Sequence, residues 1–537
     1  MKKYQSKWHR IMSLMMMLLM AVSLLYGCKK DENATDQDNQ DNQENQVNQA
    51  NQDTSDSKVN SEPTKLTIWS SWDGMADILK SQGDAPYWQA YQKATNTQIE
   101  FIDSTGGKEA LSVLISTGDL PDIIIEYSNN IPTGIQQSLN DGTFLALNEA
   151  MDAGNMPNFT AYLENDKEVA RLIANDDGLY AWAPMIRAVD SPLVFGGNMI
   201  RQDWLNELGL QQPTTIQEME DVLLAFKEKK GCDAGYSFAW NNYSYMVMAN
   251  GVVEGMYVDE TGKIQYGCIQ EGYKNFLTLF NNWYNAGILD PDGFTQNIDA
   301  FYAKIAAGET GLVFGYTGGE LGKIEAMKSE YPDMDYQPIL NPVYNKGDSF
   351  PVDVSAYRVN NIGAMISSTC TNVEAAARFI DYVYSEEGIM LSNWGEEGTT
   401  YAVENGEPEL TDFVLNNPDG LSPQQALSLY AGYKNKSFVT LFQVYPLDVQ
   451  QLSLEVWATP DAKIKTLPPL SMTAEETDEY NSIMMDIDTY VSENKLLFIY
   501  GSQSLNSFND FVETLKGMGI ERAIEIQQAA YDRYINR

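Results

Sequence analysis

Between Lys65 and Ile125 the apolar residues follow a pattern that few folds accommodate. Lys65-Leu66-Thr67-Ile68-Trp69 reads as a strand, Ala85 to Ala94 as a helix, Gln98 to Ile102 as a strand and Lys108 to Ser116 as a helix. The turn Gly118-Asp119-Leu120-Pro121-Asp122 then leads into Ile123-Ile124-Ile125, a β-branched run with no polar face. Such a run suits a strand buried on both sides of a parallel sheet. The alternation predicts an α/β lobe whose strand-end loops are available to a ligand.

One lobe does not use up the chain. Single cores stop growing near about 250–300 residues, and this chain has 537. Farther along, Gly178 to Pro184 and Leu193-Val194-Phe195 read as strand-like pieces and Arg201 to Leu205 opens a helix. Ile216 to Lys229 is a helix whose Thr215 and Glu218 have capping-box spacing. Helices over Gly272 to Ala286 and Ile298 to Ala307 precede a strand at Gly311 to Tyr316. Ala364 to Ser367, a helix from Val373 to Tyr384 and a mostly helical remainder follow. The expected division is lobe I from 64–188 plus 358–415 and lobe II from 189–357 plus 416–537, with segments crossing between them.

The chain before Lys65 has a different character. Lys2, Lys3, Lys7 and Arg10 precede the apolar run Ile11 to Leu25, broken only by Ser13 and Ser23, which is the order of a secretory signal. The run is shorter than the roughly 20 residues of a spanning helix. Leu25-Tyr26-Gly27-Cys28 resembles a bacterial lipobox, so residues 1–27 are expected to be a lipoprotein signal peptide and Cys28 the lipidated residue. Residues 28–63, dominated by Asn, Gln, Asp and Ser, lack the apolar side chains that offset chain entropy and should form a disordered tether.

Removing the leader takes away four cations and no acids, which moves the formal charge from −40 to −44. A surface of that sign repels nucleic acid, which needs basic patches. It also opposes long-range steering of anionic polysaccharides, although a local pair such as Arg187 and Arg201 could still hold one carboxylate. The only histidine, His9, lies in the leader. The mature chain therefore has no imidazole for Ser-His-Asp or Cys-His catalysis or for His-ligated zinc. Beyond Cys28 the cysteines are Cys232, Cys268 and Cys370, an odd number without metal-site spacing, expected as small buried side chains. No phosphate-loop motif occurs. Paired carboxylates need no histidine, so a surface glycoside hydrolase or lyase stays open as an alternative, as does a carbohydrate adhesin or sensor.

Several stretches, in this order, carry a resemblance: Ser116 to Ile123, Gly178 to Trp182, Ile200 to Leu210 followed by Pro213-Thr214-Thr215, Gly308 to Val313, and Ala375 to Tyr382. Behind a lipobox they resemble the extracellular solute-binding proteins, family 1, of carbohydrate ABC transporters, and especially the large LipO-like lipoprotein branch. The resemblance covers nearly the whole mature chain. It implies a periplasmic-binding-protein type II fold, with two α/β lobes, crossing hinge segments and a helical C-terminal part. The implied activity is capture of an oligosaccharide for ABC permease subunits by a monomer held at the cell membrane through its N-terminal lipid, without enzymatic turnover. Some relatives carry a calcium loop before the strand matching Gly178 to Pro184. Here Ala174-Asn175-Asp176-Asp177-Gly178 is too short for that set of oxygen ligands, so neither metal nor other cofactor is expected.

Sugar rings stack on flat aromatics and their hydroxyls need planar donors and acceptors, so candidates are sought where strands end. Trp72 and Asp73 follow the first strand, Glu126 and Tyr127 the third, and Trp182 closes the strand after Gly178. Trp240 begins the polar-aromatic run Trp240-Asn241-Asn242-Tyr243, and Tyr316 ends the strand from Gly311. Tyr357 and Arg358 lie at the presumed return crossing, with hinge or surface roles as the alternative, and Trp394 lies in a Gly-rich loop after a helix. For any one of these aromatics, core packing is the competing role.

Overall fold

The computed structural model describes residues 62–537 except 72–77, 105, 133, 190, 241, 422, 440–444 and 446. The expected signal peptide, Cys28 and nearly all of the tether lie outside the described residues, as do Trp72 and Asp73. The strands run in chain order as β1 (Thr64–Ser71), β2 (Thr97–Ser104), β3 (Ile123–Tyr127), β4 (Ala183–Ile186), β5 (Gly196–Arg201), β6 (Tyr236–Ser237), β7 (Met256–Val258) and β8 (Ile264–Tyr266). They continue as β9 (Leu312–Tyr316), β10 (Tyr336–Pro338), β11 (Val352–Asp353), β12 (Val359–Ile366), β13 (Tyr401–Glu404), β14 (Glu407–Leu410) and β15 (Ile464–Thr466).

The first sheet has the order β2-β1-β3-β12-β4. Its first three strands are parallel, in register Ile68↔Ile123 and Leu66↔Ile99, because helices Pro86–Thr95 and Gly107–Thr117 carry the chain back over the sheet. The isoleucine run of β3 is buried throughout, and the strand beyond it is antiparallel: β12 pairs with β3 through Ala364↔Ile125. A continuous apolar run reports burial on both faces and not the direction of its neighbours. Ile68, Tyr91, Leu111, Phe159 and Met365 fill the core around this sheet.

The second sheet, β10-β5-β9-β6, pairs β5 antiparallel to β9 and β10, with β6 parallel to β9. Its core combines Ile200, Leu205, Phe226, Tyr236, Phe280 and Trp283 with side chains of the C-terminal helices Ala474–Ile499 and Phe508–Gly517. The helix Ile216–Lys230 begins with the capping box read from the sequence: the Glu218 amide donates to Thr215 Oγ1 at 3.1 Å, and the Thr215 amide to Glu218 Oε2 at 3.3 Å. A third sheet of short strands, β11-β15-β7-β8, and the hairpin β13-β14 have no counterpart in the sequence reading.

Three placements depart from that reading. The piece from Gly178 to Trp182 is a turn and an extended approach in which only Tyr180 pairs, in an isolated bridge to Ala174, and the strand itself begins at Ala183: Asn175 Oδ1 accepts from the Asp177 and Leu179 amides, and Gly178 has φ +74°. Leu193-Val194-Phe195 belongs to no strand and leads into β5, with the Phe195 carbonyl accepting from the Thr317 amide at 2.9 Å. Residues 423–439, which the expected division assigns to the second lobe, pack on the first core, where Tyr87 Oη donates to the Asn435 carbonyl at 2.6 Å. The chain passes between the two cores in neighbouring segments. The Arg187 amide donates to the Arg358 carbonyl at 2.8 Å, the Ala188 amide to the Val439 carbonyl at 3.0 Å, and the Ala356 amide to the Leu193 carbonyl at 2.8 Å.

Cys232, Cys268 and Cys370 are buried free thiols, and burial raises the pKa of each, that of Cys370 to about 11. Among the described residues no helix is long and apolar enough to cross a membrane, and no group of three or more acidic, His or Cys side chains could hold a metal ion.

Candidate ligand-binding site

β3 and β9 each lie inside their sheet, and each ends on a tyrosine, Tyr127 and Tyr316. The carboxyl ends of such strands are where α/β sheets receive ligands. Tyr127 is half-buried, and Lys434 Nζ lies 4.8 Å from its ring centroid. Tyr316 is 38% exposed, and its ring contacts Phe195 and Phe314.

Beneath Tyr127 lies a closed polar network. Glu126, 0% exposed, accepts from Lys434 Nζ at 3.0 Å, from the Tyr127 amide at 2.9 Å, from the Ser71 amide at 3.2 Å and from Asn130 Nδ2 at 3.2 Å. Ser71 Oγ also donates to it. A carboxylate so enclosed and so fully engaged has no face left for a ligand, which corrects the sequence expectation that Glu126 is a contact residue. It fixes the end of β3 and neutralises Lys434.

The crossing segments connect the two tyrosines. Val439 packs with Met185, Ile362 and Tyr127, and its backbone bridges Arg187. The Arg187 guanidinium donates to the Tyr357 carbonyl at 2.5 Å and lies 5.5 Å from the Phe195 ring centroid. Burial lowers its pKa. Phe195 in turn meets Tyr316, whose hydroxyl lies 3.5 Å from Asn242 Oδ1. Trp240, 58% exposed, sits at φ +52°, a conformation that non-glycine residues rarely adopt. An exposed indole on a strained backbone is a functional signal, because neither feature contributes to core stability.

A cavity of about 260 Å³ opens beside Tyr127, lined among others by Asn393, Ser428, Tyr433, Lys436 and Val439. A larger cavity of about 400 Å³ lies in the second half of the molecule, between Leu340–Phe350 and Val456–Asp461, and none of the residues expected from the sequence lines it. The smaller one adjoins a strand end and carries aromatic rings beside polar groups, so it is the better candidate.

Other expected residues lie elsewhere. Trp182 is 5% exposed and packs against Gly363, where an added Cβ would come within 2.6 Å of the indole; this corrects its expected contact role. Tyr357 Oη donates to the Thr466 carbonyl at 2.9 Å. Arg358 forms an ion pair with Asp166 and donates to Tyr162 Oη at 2.7 Å. Both brace the crossing. Trp394 is half-buried against Tyr401, one residue from Asn393 at the cavity. Sequence reasoning passed over Tyr433, Lys434 and Lys436. Their signal was present: Tyr433-Lys434-Asn435-Lys436 is a local basic-aromatic run in a chain with 75 acidic and 35 basic residues.

The family model for the bacterial extracellular solute-binding proteins matches residues 69–390. The fructooligosaccharide ABC transporter substrate-binding protein FusA of Streptococcus pneumoniae serotype 4 is 22% identical over 83% of this chain and 86% of its own length. Lipoprotein LipO of Bacillus subtilis is also 22% identical, over 83% of this chain and 89% of its own. The solved structure of S. pneumoniae FusA with kestose superposes with a TM-score of 0.70 at 20% identity, covering 88% of this chain and 100% of that one. The fold is that of the type II periplasmic-binding-protein-like solute-binding proteins.

Proposed function

The chain belongs to the bacterial extracellular solute-binding proteins, and from that premise we propose that it captures an oligosaccharide outside the cell and hands it to the permease subunits of an ABC importer. The halves built on the two sheets act as lobes and the segments at Arg187, Arg358 and Val439 as their hinge. The observation that carries this reading is the continuous path from Tyr127 through Val439, Arg187 and Phe195 to Tyr316, which links strand ends of both sheets. Tyr127, Tyr316 and Trp240 serve as stacking surfaces for sugar rings. Trp72 and Asp73, which lie outside the described residues, and Trp394, next to Asn393 in the chain, are further contacts on this reading. Glu126, Trp182, Tyr357 and Arg358 hold this surface in shape. The protein acts as a monomer, and ligand is bound and released without covalent change. The names of FusA and LipO support the sugar and lipoprotein readings, and Cys28 is the residue that carries the lipid.

Mature protein titrated with a broad oligosaccharide panel should change its tryptophan fluorescence and melt at a higher temperature. Ligand at about 100 times its dissociation constant adds about 2.7 kcal/mol of stability. If no sugar moves either signal, the oligosaccharide assignment is withdrawn; sugars returned in altered form after long incubation favour a hydrolase or lyase. Cys28→Ala should abolish incorporation of labelled lipid, and unchanged labelling removes the anchor.

A further inference from the structure

Two lysines two residues apart have opposite environments. Lys434 is neutralised by Glu126 at 3.0 Å. Lys436, half-buried on the wall of the cavity beside Tyr127, has no hydrogen bond or ion pair with any described residue. Desolvation lowers its amine pKa to about 8, and among the described residues no carboxylate opposes the effect. A desolvated cation without a counter-ion is unfavourable, and buried charges are ordinarily paired. The neighbouring pair at Lys434 shows that this fold does supply a carboxylate where a lysine is structural. An amine on the wall of a cavity that is shifted and has no partner among the described residues is instead a mark of a binding group.

The surroundings agree. Ser428 and Gln424 bring hydroxyl and amide groups to the same wall, and Tyr127 and Tyr433 bring rings. Arg187, bridged to Val439 through its backbone, is a second cation with no carboxylate partner among the described residues; its guanidinium engages a carbonyl and a ring. The body as a whole is strongly acidic, but at physiological ionic strength its field is screened beyond about 8 Å. A cation at contact distance in a partly desolvated cavity is screened much less.

We infer that the cavity beside Tyr127 is an anion subsite, in which Lys436 meets a negatively charged oxygen group of the bound glycan, so that the ligand is an acidic oligosaccharide. This rests on the reading of the protein as an oligosaccharide receptor. The group is a uronic carboxylate or a sulfate ester. Both present oxygens to an ammonium donor, and a charge-assisted hydrogen bond of that kind changes affinity about 10- to 100-fold.

The test is isothermal titration of the mature protein, as wild type, Lys436→Gln and Lys436→Arg, with three sets of oligosaccharides: uronic, sulfated and neutral. Circular dichroism and melting establish that each variant is folded. The expected result is binding of a uronic or sulfated set, weakened about 10- to 100-fold by Lys436→Gln and largely retained by Lys436→Arg; which set binds identifies the acid group. Binding of a neutral set in preference, or acidic binding unchanged in Lys436→Gln, overturns the anion subsite and leaves the receptor reading standing. Failure of all three sets to bind overturns both.

Discussion

Lys434 and Glu126 are each nearly or wholly removed from solvent, and neither is tolerable alone. Breaking a buried pair from one side costs about 3–5 kcal/mol, because the remaining charge is stranded. Glu126→Gln should therefore lower the urea midpoint by a corresponding amount, and adding Lys434→Met should recover most of the loss. A double variant as unstable as the single one would show that the two groups are not coupled. The sequence placed Glu126 correctly at the end of β3 but left its direction open. Alternation normally tells which side chains face inward, and Ile123-Ile124-Ile125 does not alternate. The burial of Trp182 is hidden for a related reason: an indole at a strand end looks the same in a chain whether it faces ligand or the bare backbone of Gly363. Lys436 is not legible in the sequence because what sets it apart, the lack of a partner among the described residues on a cavity wall, is a property of three dimensions.

Helix starts were readable because their chemistry is local, and Thr215 with Glu218 is the clearest case. Thr215→Ala should cost about 1 kcal/mol, seen as a lower melting temperature and faster amide exchange in the first turn of Ile216–Lys230. The Thr214 amide and hydroxyl, with help from Lys346, hold the Glu218 carboxyl down from 4.5 to about 2. A depressed carboxyl stabilises the fold above its unfolded pKa, and that contribution is lost as pH falls from about 4.5 through about 2. Protection of these amides, measured against their intrinsic exchange rates, should fall over that window in the wild type and show little such dependence in Glu218→Gln. β5 was not readable, since Gly196-Gly197-Asn198 looks like a loop. Its reason lies far away in sequence: Trp457 lies so close over Gly197 that an added Cβ would stand 2.5 Å from the indole. Strands of two or three residues, such as β6, β7, β8, β11 and β15, are too short to carry a period at all.

At the scale of the molecule, the expected two-lobe division missed how the late chain is shared. The helix Ile520–Ile535 has Ile520 and Ala523 in the second core and Tyr534 in the first. Arg533 and Arg537 fasten that end to Asp176 at 2.5 and 2.6 Å. Partly exposed pairs of this kind add little global stability, about 0–1 kcal/mol. Asp176→Ala should hence leave the melting temperature nearly unchanged while raising hydrogen exchange over 531–537 and not over 216–230; equal exchange in both proteins would mean that the pairs hold nothing. The crossing itself has a mechanical consequence. Segments laced side by side by main-chain hydrogen bonds resist sliding past one another and bending within their shared plane, so any movement of the halves they join must bend or twist all of the crossing segments together.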